Sequence, residues 1–448
     1  MPADCAETMN EPDALRQSGP RWILHCWVTA AAFGTYFCMY GFRKPYTAAT
    51  FEDVVLWGGL SLKTLLVISQ TLGYLLSKFI GIRVVAELPP RQRTLAILGL
   101  IGAAEAALLL FAVVPAPWNC LCLFLNGLPL GMVFGLVLSF LEGRRSTEAL
   151  AAGLCTSFIV ADGFTKSVGG WLLGAGVAEA WMPSVAGLAF APVLLVSLWF
   201  LSQVPPPDQE DIEHRTARPT LTRADRATFL SRYAPGLLAL TVAYVLITIL
   251  RSIRADFSPE IWQGLGFDKS PGVFTRSELW VALGVIVANG LTVLIHDNRR
   301  AFFSSIAIAT GGLALLPVAL IGLQQNWLGG FPFMVLMGLG LYLPYVAVHT
   351  TIFERLIAMT RDRSSVGFLL TFADAFGYLG VVVVMLTREV LQAQGVFARA
   401  NFLDFFTAAA WLISGIGMVG LLTVWVYFAR RESGQTIGLP GPVATAAE

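Results

Sequence analysis

The sequence predicts an all-helical integral membrane protein with twelve spanning helices in two equivalent sets of six. Three observations support this prediction: an apolar composition with few charges, twelve apolar segments long enough to cross a bilayer, and an internal repeat that relates the two halves. Of the 448 residues, 56% are hydrophobic and only 13% are charged. Soluble domains carry about 25% charged residues, so the composition argues against a soluble enzyme.

Hydropathy divides the chain into twelve apolar segments of about 20 residues, the length that crosses a bilayer as a helix. They are residues 21–42, 61–81, 94–114, 120–141, 151–174, 183–203, 233–253, 277–296, 301–323, 331–353, 366–386 and 402–428. A polar stretch begins with Pro205-Pro206-Pro207 and predicts a linker. The predicted organisation is a tail at 1–20, a six-helix bundle at 21–204, the linker at 205–232, a second six-helix bundle at 233–429 and a tail at 430–448.

The distribution of basic residues predicts that both chain ends face the cytoplasm. Lys and Arg are retained in cytoplasmic loops, and the loops and tails on one side hold nineteen of them against nine on the other. The first 20 residues lack the order of a signal peptide, so we expect them to remain as a tail. These features predict a multi-pass protein of the inner membrane. The net charge of +1 gives no reason to expect a nucleic-acid partner.

The two halves of the chain share an internal repeat. The span-five motif Ala161-Asp162-Gly163-Phe164 returns in span eleven as Ala373-Asp374-Ala375-Phe376. Matching residues lie 208 to 212 positions apart. They are Tyr36 with Tyr244, Arg43 with Arg251, Gly127 with Gly338, Glu142 with Glu354, and Asp162 with Asp374. A parallel repeat of six spans is the architecture of major facilitator transporters, whose two halves rock about a central site.

Arg43 and Arg251 are the leading candidates for a ligand site. A charge inside a membrane costs about 2.5 to 3.5 kcal/mol on insertion scales, and the repeat places these two arginines at equivalent points of the two halves. We expect them to face each other across a cavity, where guanidinium groups bind phosphate or carboxylate through paired hydrogen bonds. The alternative is that both side chains extend to the outer membrane interface.

Four short stretches of the chain carry a resemblance to a known family. They are Tyr40-Gly41-Phe42-Arg43-Lys44-Pro45-Tyr46, Gly73-Tyr74-Leu75-Leu76-Ser77-Lys78-Phe79-Ile80-Gly81, Leu250-Arg251-Ser252-Ile253-Arg254-Ala255-Asp256-Phe257-Ser258-Pro259 and Phe376-Gly377-Tyr378-Leu379-Gly380. These stretches resemble the organophosphate:phosphate antiporters, which are the glycerol-3-phosphate and hexose-phosphate transporters of the major facilitator superfamily.

The resemblance implies a phosphate clamp formed by Arg43 and Arg251, with Lys78 as a further cation of the pocket. The residues that neighbour the arginines complete the candidate binding set: Lys44, Tyr36 and Tyr244. Span five departs from the family pattern, because Asp162 and Lys166 stand where the family has a pocket histidine. That departure is consistent with a side branch of the family.

Five polar residues inside the spans are candidate proton or pocket residues. Asp162 and Lys166 lie four positions apart on one helical face, where they either form a structural pair or face the substrate. Asp374, the repeat mate of Asp162, has no such lysine and is either protonated or paired across the cavity. Glu105 lies in the middle of span three and is a candidate proton site. His349 in span ten is either a hydrogen-bonded interior residue or a functional one.

Glu142 and Glu354 fall at equivalent cytoplasmic ends of spans four and ten. We expect them to pair with loop arginines and to close the inner gate, although acids at helix ends are often only solvated. The sequence contains no nucleophile paired with a base and no metal-ligand set, so it predicts neither an enzyme nor a bound metal or cofactor. By analogy with facilitator folds, we expect a monomer.

The sequence therefore predicts a secondary active transporter of a small anion. The specific prediction is a phosphorylated metabolite exchanged for inorganic phosphate by rocking of the two halves. One alternative is proton-coupled transport of a carboxylate or drug-like compound, with Asp374 or Glu105 as the proton carrier. Another is a membrane sensor that binds an organophosphate and signals through its cytoplasmic loops without transporting it.

Overall fold

Twelve long helices, six in each half, run through the described part of the chain. A computed structural model describes residues 21–52, 56, 60–141, 147–205, 223–267, 270–360, 366–394 and 401–436. The N-terminal half contains α1 (Arg21–Gly41), α2 (Leu62–Glu87), α3 (Pro90–Val113), α4 (Asn119–Leu141), α5 (Thr147–Gly174) and α6 (Met182–Ser202). The C-terminal half contains α7 (Ala234–Asp256), α8 (Gly272–Val293), α9 (Asn298–Gln324), α10 (Gly330–Ala347), α11 (Val366–Ala393) and α12 (Phe402–Thr436).

Several shorter elements lie between these helices. A 3₁₀ turn follows α1, one short helix precedes α7, and another follows it. A π-helical turn and a last short helix continue α10 without a break. In chain order the short elements are Pro45–Ala48, Arg223–Arg232, Ser258–Gly264, Val348–Ile352 and Phe353–Thr360.

Most of the long helices are apolar enough to lie in a membrane. Within the described residues, nine helices can cross a bilayer by length and composition. The other three, α1, α5 and α8, contain 21, 28 and 22 residues, which suffices for a hydrocarbon core of about 30 Å. Charged side chains reduce the hydropathy of two of them: Asp162 and Lys166 in α5, and Arg276 and Glu278 in α8.

The two halves pack by the same pattern. In the N-terminal half α4 packs on α2 and α3, and α1 packs on α5 and α6. In the C-terminal half α10 packs on α8 and α9, and α7 packs on α11 and α12. Between the halves α2 packs on α11 and α5 on α8. Because each helix corresponds to the one six positions later, these two contacts are equivalent under a pseudo-two-fold axis, as the sequence repeat predicts.

The outer faces of the bundle are apolar. Large apolar side chains are exposed on α3, α6, α8 and α12; examples are Leu95, Val196, Val287 and Val419. Soluble monomers rarely expose apolar patches of more than a few hundred Å². The helices therefore present to their surroundings the surface that lipid chains cover, and they direct their polar groups toward the junction of the halves.

Helix ends differ from the hydropathy limits in several places. α2 continues to Glu87 rather than 81, and α12 continues to Thr436 rather than 428. Hydropathy marks only the apolar part of a helix, whereas its backbone hydrogen bonds continue past the hydrocarbon region. Of the predicted linker 205–232, residues 206–222 lie outside the described residues, and Arg223–Arg232 forms a helix.

Close packing of α2 on α4 depends on glycine at two positions. A Cβ atom at Gly73 would overlap the Phe124 carbonyl oxygen, and one at Gly127 would overlap the carbonyl oxygen of Gln70. We expect Gly127→Ala to lower the free energy of unfolding by about 1–3 kcal/mol through overpacking, measured as a fall in thermal midpoint in detergent. Gly99→Ala is the matched control, because a Cβ at Gly99 meets open space. Equal midpoints for the two variants would contradict this account.

Candidate functional site

A small cavity lies between the two halves, and its wall is rich in tyrosine. Six of the ten tyrosines of the chain line it. They come from α1, α2, α10 and α11: Tyr36, Tyr40, Tyr74, Tyr342, Tyr345 and Tyr378. The enclosed space is about 40 Å³, which is room for a few water molecules. A ligand the size of a sugar phosphate therefore requires the halves to move apart.

Arg43 enters the cavity just after the end of α1. Its guanidinium lies over the Tyr74 ring, 3.9 Å from the centroid, and 5.6 Å from the centroid of Tyr40. The residue is only 8% exposed. Among the described residues Arg43 has no carboxylate partner, and its Nε atom makes no hydrogen bond. This side chain is a buried cation whose donors remain available.

Arg251, the repeat mate of Arg43, enters the same cavity from α7. Its guanidinium lies 4.2 Å from the Tyr345 ring centroid and 5.8 Å from that of Tyr342. One terminal nitrogen donates to the Ser252 hydroxyl at 3.3 Å, and Nε makes no hydrogen bond. The described residues offer Arg251 no carboxylate partner either. Both sequence-predicted arginines therefore meet at one cavity, each stacked on tyrosine.

Among the described residues, six other buried or half-buried cations contact a carboxylate, whereas half-buried Arg93 donates to the Ser139 carbonyl oxygen. The pairs are Lys44–Asp256, Lys63–Glu260, Lys78–Asp374, Lys166–Asp162, Arg254–Glu278 and Arg388–Glu389. In the last five pairs the nitrogen and oxygen lie 2.5 to 2.9 Å apart. Burial of a cation destabilises a protein unless an opposite charge pairs with it. For Arg43 and Arg251 no carboxylate among the described residues offsets this cost, in contrast to the six paired cations.

Three of the ion pairs join the two halves, and all three have the same polarity. The lysine belongs to the N-terminal half and the carboxylate to the C-terminal half in Lys44–Asp256, Lys63–Glu260 and Lys78–Asp374. Lys166 adds a fourth polar contact of this kind, because its ammonium donates both to Asp162 and to the Ala255 carbonyl oxygen. The faces of the two halves are thus electrostatically complementary.

Asp374 lies at the centre of a polar cluster. One carboxylate oxygen accepts from Lys78 at 2.5 Å, and the other accepts from the Tyr244 hydroxyl. The same second oxygen lies 3.7 Å from His349 Nε2. The Nδ1 atom of His349 is 3.1 Å from the Tyr345 carbonyl oxygen. Of the two alternatives for Asp374, the structure has the ion pair across the halves, and it places His349 on the cavity wall.

Of the remaining candidate residues that the structure describes, only Asp162 lies at the cavity. Asp162 lines the cavity and pairs with Lys166 at 2.6 Å. Glu105 does not line the cavity; its carboxylate accepts from the Ser184 hydroxyl at 2.5 Å, between α3 and α6. Glu354 is exposed on the short helix that continues α10, and Glu142 lies outside the described residues. The gate prediction for these two glutamates is therefore left as a prediction.

Comparison with known proteins places this architecture in a family. A family model described as a family of unknown function (DUF5690) matches residues 45–431. The chain belongs to this family. No curated protein matches the chain.

Solved transporter structures share its fold at low sequence identity. A D-xylose-proton symporter is 16% identical, with a TM-score of 0.59 over 91% of this chain and 98% of that chain. A bacterial homologue of the human lysosomal transporter Spinster is 13% identical, with a TM-score of 0.55 over 93% and 99%. The human organic anion transporter MFSD10 is 17% identical, with a TM-score of 0.53 over 91% and 100%. The chain has the major facilitator fold, as the sequence predicts.

Sequence reasoning missed the residues that hold Arg43 in place. The Gln70 amide donates to the Arg43 carbonyl oxygen at 3.0 Å and to Asn126 at 2.8 Å. Asn126 in turn donates to the carbonyl oxygens of Phe42 and Ala104 at 3.1 and 3.0 Å. These bonds satisfy the backbone where α1 ends inside the protein. The available signal was the pair of amide side chains within spans two and four.

We expect removal of one partner of the Lys78–Asp374 pair to destabilise the protein. Lys78→Met leaves a buried carboxylate without its cation, which costs about 3–5 kcal/mol. Adding Asp374→Asn to that variant removes the uncompensated charge, so the double variant loses less stability than the sum of the two single changes. Thermal unfolding of the four proteins in detergent measures this coupling. Strictly additive losses would show that the two side chains do not stabilise each other.

Proposed function

We propose that the protein is a secondary active transporter of a small anion, which binds between Arg43 and Arg251. The observation that carries this proposal concerns the cations in the described part of the chain: six of them contact carboxylates, whereas the two equivalent arginines on the cavity wall do not. An anion that reaches both guanidinium groups supplies the missing negative charge and accepts hydrogen bonds from their free N–H groups.

The anion in this proposal is a phosphorylated metabolite that exchanges for inorganic phosphate. A guanidinium fork matches the oxygen spacing of phosphate and stays charged at any physiological pH. Two unpaired arginines suit a group with two negative charges, as a phosphate monoester has near neutral pH. The resemblance of the arginine stretches to organophosphate:phosphate antiporters supports the same choice.

The other binding residues of the proposal act around the arginines. Lys44 and Lys78 already contact Asp256 and Asp374, so we assign them to the charge balance of the cavity rather than to direct coordination. Tyr36 packs edge-on against the Tyr40 ring, with ring centroids 5.6 Å apart. Tyr244 stacks on Tyr345 at 5.6 Å in the other half. These two tyrosines support the rings on which the guanidinium groups lie.

Transport in this proposal proceeds by alternating access. The pairs Lys44–Asp256 and Lys63–Glu260 join the halves at the end where α1 and α7 stop, and Lys78–Asp374 joins them on the other side of the arginines. When one side opens, the ion pairs on that side separate and water hydrates each charged group. The free-energy cost of this separation is small, because exposed ion pairs contribute little to stability. A bridging anion draws the halves together, and its release allows them to reopen. The proposed setting is the inner membrane, with both chain ends cytoplasmic and one chain as the working unit.

A second candidate function is proton-coupled transport. The 3.7 Å approach of His349 to Asp374 favours it, because a proton on the imidazole strengthens its attraction to the carboxylate and competes with Lys78. Glu105 is a weaker candidate for the proton carrier, because its carboxyl group lies between α3 and α6 and not at the cavity. An imposed pH gradient separates the two functions.

Counterflow in proteoliposomes tests the proposed exchange. Vesicles preloaded with unlabelled phosphate are expected to accumulate labelled phosphate without any pH gradient, because exchange needs only the returning substrate. Protein-free vesicles and vesicles loaded with chloride are the controls. Absence of counterflow, together with pH-driven uptake of another solute, would replace exchange by proton-coupled transport.

Lysine substitutions test the arginine clamp. Arg43→Lys and Arg251→Lys keep the charge and lose the fork, so each is expected to weaken phosphate binding about 10- to 100-fold, the effect of losing one charged hydrogen bond worth about 1.5–3 kcal/mol. Arg276→Lys, on the exposed face of α8, is the matched control and is expected to bind like the wild type. Phosphate-induced stabilisation in thermal unfolding measures binding. Undiminished stabilisation in both clamp variants rejects the clamp.

A further inference from the structure

An open groove lies on the outside of the C-terminal half, away from the central cavity. It runs between the first turns of α9 and the last third of α12 and has a volume of about 870 Å³. Arg299, Arg300, Phe303, Ser304 and Ala307 line it from α9, and Trp425 lines it from α12. The groove lies at the end of the bundle that the basic residues assign to the cytoplasm.

The polarity of the groove changes along its length. Arg299 and Arg300 stand in the first turn of α9, Phe303 and Ser304 in the next, and Ala307 one turn further, all on one side of the helix. At 1.5 Å per residue the arginines and Ala307 are about 11 Å apart along the axis. The groove therefore has a charged end at the membrane surface and an apolar end inside the hydrocarbon region.

The apolar end is formed by aromatic rings that remain accessible. Trp425 is 38% exposed. Its ring meets Phe303 edge-on with centroids 4.9 Å apart, so the two rings form a continuous floor. In a bilayer, a lipid acyl chain can pack against these two rings.

The charged end of the groove carries two arginines. Among the described residues that line the groove, Asp297 is the one acidic residue, and its carboxylate caps α9 by accepting the Arg300 backbone N–H at 2.7 Å. Arg299 and Arg300 are both exposed. Within the described residues the Arg300 guanidinium makes no ion pair. The unpaired Arg300 guanidinium favours an anion at this end.

We propose that this groove binds an anionic glycerophospholipid of the inner leaflet. Its phosphate contacts Arg299 and Arg300, and one acyl chain lies along Phe303, Ala307 and Trp425. Basic pockets between transmembrane helices on the cytoplasmic side bind anionic lipid headgroups by this chemistry. A soluble anion would use only the charged end, whereas a lipid uses both ends at the depth where each is found. The site is independent of what the central cavity carries.

Quenching of Trp425 by brominated lipids tests the site on the full chain. The protein is reconstituted in phosphatidylcholine vesicles that contain the same mole fraction of either dibrominated phosphatidylglycerol or dibrominated phosphatidylcholine. The quenching of Trp425 is the fluorescence loss of the wild type minus that of Trp425→Phe. We expect this quenching to be at least about twofold larger with the anionic brominated lipid than with brominated phosphatidylcholine. Equal quenching by the two lipids overturns the proposal.

Variants test whether the additional quenching by the anionic lipid, the excess quenching, depends on the two arginines. Arg299→Gln/Arg300→Gln is expected to lose the excess while keeping the wild-type response to brominated phosphatidylcholine, which shows that the groove is intact. Arg91→Gln, an exposed arginine at the same end of the N-terminal half, is expected to retain the excess. Excess quenching that survives a large concentration of soluble phosphate supports a lipid site. Loss of the excess in soluble phosphate identifies a free-anion site and overturns the lipid assignment.

Discussion

A charge buried in a protein destabilises it unless an opposite charge lies nearby, and this constraint organises the interior of the chain. In the part of the chain that the structure describes, six cations satisfy it with carboxylates. Arg43 and Arg251 instead lie on tyrosine rings, 3.9 and 4.2 Å from the nearest centroids. A ring face compensates in part for lost hydration, yet it leaves the N–H donors at the guanidinium edge available. In our proposal the substrate anion completes the charge balance, so that binding and the stability of the closed protein are coupled.

The same constraint shapes the junction of the halves. Within each half the helices pack closely, as in the glycine contact of α2 with α4. Where the halves meet, the packing of α5 on α8 and of α2 on α11 is accompanied by Lys44–Asp256, Lys63–Glu260 and Lys78–Asp374. Charged pairs separate readily where water enters, because each partner is then hydrated. An apolar junction of the same size would resist separation. A polar junction between two rigid bundles therefore suits a protein that must open on alternate sides.

Much of the fold was predictable because a bilayer imposes strict demands on sequence. Each span needs about 20 apolar residues, and an offset of 208 to 212 positions relates the two halves. The helices, the repeat and the shared cavity of Arg43 and Arg251 therefore follow from the chain alone. The ion pairs do not, since Lys78 and Asp374 are 296 positions apart. The same holds for the cavity tyrosines: nothing local to Tyr74 indicates that it lies under Arg43. Those contacts depend on how the helices are placed in three dimensions.

The most direct test of the central claim is to locate an anion in the protein. Tungstate has the shape and charge of a phosphate group, and its metal scatters anomalously, so crystals grown with it report the position of the site. The account predicts one anomalous peak, with oxygens about 3 Å from the nitrogens of both Arg43 and Arg251. A peak bound to only one of these arginines, or a cavity that stays without tungstate while other sites fill, would contradict it.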